Sequence, residues 1–175
     1  MGSRPQNTEY APFFAGYVSL VPESDVLAVL ESQPAGLAQL ASLVPSDREG
    51  FRYAEGKWTI REVFGHLIDA ERVFSYRAFC ISRGEQLSLP GFDENVYIRH
   101  SHYDRQRLGE LVAEFAALRE ASLTFFRQLD DHDWERLGTA NDNPASVRGL
   151  SFVMAGHVRH HIGVLRERYG IVPGA

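Results

Sequence analysis

Histidine is the residue type whose spacing in this sequence most directly suggests chemistry. His157 and His161 are one helical turn apart in the C-terminal part of the chain. Because a helix turns about 100° per residue, both rings fall within the apolar stripe of that segment, about 40° apart. His160 falls at the border of the stripe, and its role stays open. Two inward imidazoles one turn apart are how a helix offers two ligands to one metal ion.

A third histidine, His66, shares the apolar side of an earlier helical segment with Val63, Leu67 and Phe74. Metal sites in bundles take their ligands from facing helices. Three neutral imidazoles suit zinc, nickel or another borderline divalent ion. We therefore predict that His66, His157 and His161 bind a metal. The alternative is a metal-free scaffold in which these histidines are hydrogen-bonded core residues.

Further candidate residues follow His66 on the same segment. Arg77, three turns along the same face, can bind a substrate carboxylate through two hydrogen bonds. Alternatively, it forms an internal ion pair with Glu71 or with an acid of the third helix. Asp69 can orient a ligand imidazole or accept a proton, or it is a solvated or interhelical partner. Asp69 and Arg77 are thus the candidate catalytic residues, whereas Cys80 has no catalytic signature around it and is expected to be buried and inert.

Four amphipathic segments must position these groups, at about 23–44, 59–82, 104–129 and 146–169. Each has one apolar face, which predicts an all-α, up-down-up-down four-helix bundle with no confident strand. We expect a capping box at Thr59 and Ser146 as the cap of the last helix. Pro34 is expected to kink or split the first helix. Ser101 or Asp104 is expected to cap the third, after a long link from the second.

Length and composition fit one domain. The 175 residues divide into an N-terminal arm at 1–22, a bundle at 23–170 and a tail at 171–175. No apolar run approaches the roughly 18 residues that span a bilayer. A net charge of -5 disfavours nucleic-acid binding, which needs clustered basic residues. The single cysteine fits a reducing cytoplasm.

Three stretches together resemble the DinB-like superfamily of metal-binding four-helix bundles. They are residues 57–72 (KWTIREVFGHLIDAER), 89–93 (LPGFD) and 155–161 (AGHVRHH). The resemblance covers about 22–169 and implies that His66, His157 and His161 are ligands of zinc or nickel. It also implies a cytoplasmic homodimer. Characterised members of the family include S-transferases and a maleylpyruvate isomerase that use low-molecular-weight thiols.

The leading functional hypothesis is a metal-dependent enzyme that acts on a small molecule. Thiol-dependent S-transfer is the preferred reaction, with a low-molecular-weight thiol as a second cofactor, and hydrolysis is the next choice. The alternative is a non-catalytic metal-binding protein of stress response or interaction. A cavity beside the metal ligands favours the enzyme, whereas a closed ligand shell favours the alternative.

Overall fold

The computed structural model describes residues 4–172, so the first three residues of the predicted arm and the last three of the predicted tail lie outside the described part. Seven α-helices and two short strands follow one another in this range. They are α1 (Ala15–Ser19), α2 (Val26–Ser42), α3 (Ile60–Ser82), α4 (Glu94–His100), α5 (Leu108–Phe126), α6 (Asp131–Glu135), β1 (Leu137–Ala140), β2 (Asn143–Ser146) and α7 (Val147–Tyr169).

The four long helices form the predicted four-helix bundle. Helices α2 and α3 each pack against both α5 and α7, so α2 and α3 occupy opposite corners although they follow each other in the chain. The apolar faces of these helices supply a core that includes Phe64, Phe115 and Phe126. No helix within residues 4–172 combines the length and the apolar character needed to cross a bilayer.

Local sequence signals place the ends of the two helices that bear the histidines. Before α3, the Thr59 hydroxyl accepts a hydrogen bond from the Glu62 N–H at 3.1 Å, and the Glu62 carboxylate accepts one from the Thr59 N–H at 2.6 Å. Before α7, the Ser146 hydroxyl accepts from the Gly149 N–H at 2.7 Å. Helix α7 ends at Tyr169, and the next residue, Gly170, adopts φ 70°, a left-handed conformation suited to glycine. The capping box and the Ser146 cap are therefore confirmed.

Of the two outcomes expected at Pro34, a kink or a split, the structure excludes the split. Helix α2 runs through Pro34 from Val26 to Ser42. Proline lacks the N–H that would bond to the carbonyl of Leu30, one turn earlier. The Leu30 carbonyl instead accepts a hydrogen bond from Arg119 of α5 at 3.1 Å. A side chain from a neighbouring helix thus replaces the missing backbone bond.

The start of the third long helix also differs from the prediction. Helix α5 begins at Leu108, so neither Ser101 nor Asp104 caps it. Ser101 ends α4, and Asp104 lies in a short 3-10 turn. The N–H of Arg107 is bound by the Glu110 carboxylate at 2.8 Å, which closes the first turn of α5.

A two-stranded antiparallel hairpin, β1–β2, corrects the expectation of no strand. Its two-residue turn consists of Asn141 and Asp142, with φ 50° and 58°. Asparagine and aspartate tolerate this left-handed conformation, which the tightest hairpin turns require. The backbone of Leu89 bonds to this hairpin, through Thr139 O at 2.9 Å and the Asn141 N–H at 2.8 Å. The hairpin therefore holds the 89–93 segment of the link between α3 and α5.

Candidate metal centre

The three histidines predicted as ligands converge inside the bundle. His66 lies on α3, and His157 and His161 lie one turn apart on α7. The Nε2 atom of His157 is 2.9 Å from Nε2 of His66 and 3.1 Å from Nε2 of His161. All three side chains are buried, and one nitrogen from each lies within 4.8 Å of the others. The nitrogens that face one another are therefore the Nε2 atoms.

Hydrogen bonding among the rings cannot satisfy this cluster. A neutral imidazole nitrogen carries either one proton or one lone pair, so His157 Nε2 can bond to only one of its two neighbours. The Nδ1 atoms of His66 and His161 are buried and have no hydrogen-bond partner. Buried polar atoms normally have partners, so the cluster is not explained as a set of satisfied core histidines.

A single metal ion fits the observed spacing. Imidazole nitrogens lie about 2.0–2.1 Å from zinc, so two nitrogens bound to one tetrahedral ion lie about 3.3 Å apart. The Nε2 separations of 2.9 and 3.1 Å are a few tenths of an ångström shorter than this value, so a small outward shift of the rings would accommodate the ion. The donor set, three imidazoles without a carboxylate, suits zinc or another borderline divalent ion.

Electrostatics keep these histidines neutral. Burial and, to a smaller extent, the neighbouring histidines lower the pKa of His66 to about 4 and that of His161 to about 2. Burial also places the pKa of His157 well below its ordinary value. All three rings are therefore uncharged at neutral pH, and each offers a lone pair, as metal binding requires.

Aromatic rings surround the histidines. Trp58 lies 4.8 Å from His66 between ring centroids, and Tyr17 lies 5.3 Å from His157. His160 is not part of the cluster of three converging nitrogens. It is exposed, and its ring lies 5.2 Å from that of Tyr17 and 4.9 Å from that of His161 between centroids. These ring contacts orient the imidazoles by packing, since the Nδ1 atoms of His66 and His161 have no hydrogen-bond partner.

A cavity of about 350 Å³ opens beside the three histidines. Its wall is mostly apolar and aromatic, with a few polar groups. The aromatic residues in the wall are Tyr10, Phe13, Phe14, Tyr17, Trp58, Phe74 and Phe92. The polar residues other than histidine are Arg77, Glu94 and Asn141. The histidine cluster is thus adjacent to a space large enough for a small molecule.

Sequence analysis missed the contribution of the N-terminal segment to this cavity. Residues 10–17 form one wall, and a Cβ atom at Gly156 would overlap the backbone of Tyr17. Upstream, the Glu9 carboxylate accepts hydrogen bonds from Arg148 at 2.8 and 3.0 Å and from Ser146 at 2.8 Å. No local pattern announces these contacts, because the partners are more than 130 positions apart in the chain.

The two candidate catalytic residues occupy different places. Arg77 lines the histidine cavity, and it does not pair with Glu71. Glu71 instead binds Arg119. Asp69 lies in a separate surface cleft, where the Tyr103 hydroxyl donates to it at 2.7 Å and burial raises the pKa of its carboxyl group. Proton transfer by Asp69 thus stays a prediction without support from this geometry.

The fold is shared with known structures. YfiT from Bacillus subtilis, described as a probable metal-dependent hydrolase with an unusual four-helix bundle topology, matches with a TM-score of 0.75 at 20% identity. That match covers 98% of this chain and 97% of YfiT. A mycothiol-dependent maleylpyruvate isomerase matches with a TM-score of 0.65 at 15% identity. This second match covers 83% of the chain but only 61% of the isomerase.

Sequence comparison places the chain in a family. No curated protein matches the sequence. The family model of the DinB superfamily, however, matches residues 30–165, which include all three converging histidines. The match covers most of the chain and agrees with the bundle and its histidine cluster. The chain belongs to the DinB superfamily.

Proposed function

We propose that this protein is a metal-dependent enzyme that acts on a small molecule, with zinc or nickel held by His66, His157 and His161. The observation that carries the proposal is the convergence of three buried, neutral imidazoles beside a cavity of about 350 Å³. A closed ligand shell without a cavity would favour the non-catalytic alternative, whereas this cavity leaves room for a substrate beside the histidines. The cavity therefore supports an enzyme over the non-catalytic alternative.

The reaction proposed first is hydrolysis. When bound, the ion would supply Lewis-acid activation of a water or thiol nucleophile. The volume of about 350 Å³ lies near the lower end of small-molecule sites, which range from about 300 to 1,000 Å³. Such a space suits one small substrate and water better than a thiol cofactor together with its acceptor. The end-to-end similarity to YfiT, a probable metal-dependent hydrolase, supports the same choice.

Thiol-dependent S-transfer is the second candidate. Its support is the shared fold with a mycothiol-dependent isomerase. In either reaction, the chain's own residues have the same tasks. Neutral histidines bind the ion, and the aromatic wall that includes Tyr17 and Trp58 limits the access of water to it.

Assays of the metal-loaded protein test the proposal. We expect zinc- or nickel-loaded protein to hydrolyse small esters or amides, and chelated protein to be inactive. His157→Ala should abolish the activity, whereas His160→Ala should retain it. Activity only when a low-molecular-weight thiol and an electrophile are both supplied would select S-transfer. Activity that survives both chelation and His157→Ala would contradict a metal-dependent reaction.

The proposed assembly is a homodimer in the cytoplasm. The aromatic residues Phe115 and Phe126 of α5 are buried in the core and cannot contribute to an interface. The outer face of α3 nevertheless exposes Tyr76 and Phe79, and Phe79 packs against the half-buried Phe125 of α5 at 5.9 Å between ring centroids. We propose that this patch meets a second copy, which a dimeric mass in solution would support.

The lone thiol of Cys80 suits a reducing compartment, and the net charge of -5 argues against nucleic acid as a partner.

A further inference from the structure

Arg77 is a buried cation in the wall of the histidine cavity. Arg77 is only 4% exposed, and it lies about three turns from His66 on α3. Within residues 4–172, no acidic side chain forms an ion pair with it. Glu94 also lines the cavity, but it is not within ion-pair distance of Arg77. Buried charges in proteins are normally paired, so the absence of a partner requires an explanation.

Backbone and aromatic contacts hold the Arg77 guanidinium in place. One nitrogen, Nη2, donates to the Pro90 carbonyl at 2.6 Å. The guanidinium carbon lies 5.9 Å from the ring centroids of both Phe74 and Phe92. These contacts position the group without neutralising its charge. Burial accordingly lowers the pKa of Arg77.

The segment that contacts Arg77 is itself fixed. Leu89 bonds to the β1–β2 hairpin through its N–H and its carbonyl. At the next turn, a Cβ atom on Gly91 would overlap the side chain of Asn141, so the link packs closely on the hairpin. The guanidinium is therefore preorganised, and its remaining N–H groups are not used by any described residue.

We propose that Arg77 binds the carboxylate of the substrate, which makes the substrate class a small organic acid with an apolar or aromatic body. A guanidinium matches the two coplanar oxygens of a carboxylate through paired hydrogen bonds. The aromatic wall of the cavity suits the apolar body, and the histidines lie at the same cavity. A single guanidinium balances one negative charge. A carboxylate therefore fits better than a phosphate dianion.

This inference deepens the proposed function and rests on it only in treating the bound acid as the substrate of a reaction. Its test is a binding measurement on metal-free protein, so that the ion cannot bind the carboxylate itself. The probe is phenylacetate, and phenylacetamide is the neutral analogue of the same shape. Binding to metal-free protein can succeed even if the protein has no hydrolytic activity, so the two proposals fail separately.

The variants are Arg77→Met, Arg77→Lys and the control Arg83→Met. Arg83 lies at the end of α3, where its guanidinium packs on Phe79 outside the cavity. We expect wild-type protein to bind phenylacetate, detected by calorimetry or by NMR at millimolar concentration. Arg77→Met should weaken that binding at least about tenfold, because a charge-assisted hydrogen bond is lost. Arg77→Lys should retain part of it, and Arg83→Met should leave it unchanged.

Three results would overturn the proposal. They are equal binding of phenylacetate and phenylacetamide to wild-type protein, equal weakening by Arg83→Met and Arg77→Met, and no detectable binding of phenylacetate. The comparison of the two probes uses wild-type protein alone, so it decides the matter even if Arg77→Met does not fold.

Discussion

Two buried polar clusters share helix α3, and they are completed in opposite ways. Around Arg119, which is 0% exposed, every polar group finds a protein partner. The guanidinium donates to both oxygens of Glu71 at 2.8 Å, to the Gln33 amide oxygen at 2.6 Å and to the Leu30 carbonyl at 3.1 Å. The Ser122 hydroxyl donates to Glu71 at 2.8 Å. This cluster is closed.

The histidine cluster is open. Its three Nε2 atoms face one another, but each has only one proton or one lone pair, so they cannot all form hydrogen bonds among themselves. Two of its Nδ1 atoms also have no hydrogen-bond partner. It also adjoins a cavity, whereas the Arg119 cluster does not line that cavity. We infer that the closed cluster serves the fold, because loss of either partner would leave a buried charge uncompensated, and that the open cluster serves ligand binding, because its nitrogens lack partners.

The largest expected effect is on the closed cluster. Glu71→Gln leaves the Arg119 charge buried without a counterion, so we expect a loss of about 3–5 kcal/mol in the free energy of unfolding. Urea unfolding of metal-free protein measures it. The matched control is Glu114→Gln, which breaks the surface pair with Arg72 and should cost no more than about 1 kcal/mol. Equal losses in the two variants would mean that the Arg119 cluster is not structural.

The second prediction concerns the open cluster. With metal in several-hundred-fold excess over Kd, binding should stabilise the native protein by about 3–4 kcal/mol. His157→Ala should abolish this gain, because a central ligand is removed. Thermal melts with and without zinc or nickel measure the gain. We expect wild-type protein to remain folded after chelation, because the four-helix core does not need the ion. An unfolded metal-free protein by circular dichroism would assign the ion a structural role.

The third prediction is a pH dependence of metal-free protein. His66 has a folded pKa of about 4 against an ordinary value of 6.5. Below pH 6.5 the His66 ring becomes protonated in the unfolded chain but stays neutral in the native protein. The free energy of unfolding is therefore undiminished above pH 6.5 and falls as the pH decreases towards 4. The loss caused by His66 reaches about 3 kcal/mol at pH 4.

Melts of metal-free protein between pH 7.5 and 5 check this slope. His66→Leu has no titrating group at this position, so its melting temperature should fall less over the same interval. A wild-type melting temperature that does not change between pH 7.5 and 5 would show that the buried rings are not held neutral.

The smallest expected effect is that of His160→Ala. His160 is exposed, packs against Tyr17 and His161, and is not one of the three histidines whose nitrogens converge. We expect a change of no more than about 0.5 kcal/mol in stability, as for most surface substitutions, and full metal retention. Elemental analysis beside His161→Ala, which should lose the metal, makes the comparison. Metal loss in His160→Ala would mean that the assignment of inward and outward rings is wrong.

The parts of the fold that sequence reasoning predicted depend on local chemistry. The capping box at Thr59, the cap at Ser146 and the one-turn spacing of His157 and His161 involve neighbours within a few residues. Helical periodicity was sufficient to predict that His66 faces the interior of the bundle, as His157 and His161 do. Each of these features can be computed from the geometry of a single helix.

The parts that sequence reasoning missed depend on partners far apart in the chain. The sequence offered Glu71 as an ion-pair partner of Arg77, but helical periodicity could not show that Glu71 pairs with Arg119 instead. Likewise, the ion pair between Glu9 and Arg148 forms only when the N-terminal segment packs on α7. The β1–β2 hairpin had a local signal in Asn141 and Asp142, which tolerate left-handed conformations, but its strands are short and not alternating.

Elemental analysis of the purified protein tests the central claim most directly. After incubation with zinc or nickel and removal of free ion, wild-type protein and His160→Ala should each retain one ion per chain. His66→Ala, His157→Ala and His161→Ala should retain none while remaining folded by circular dichroism. Wild-type protein that retains no stoichiometric metal, or histidine variants that retain it as well as wild type, would contradict the account.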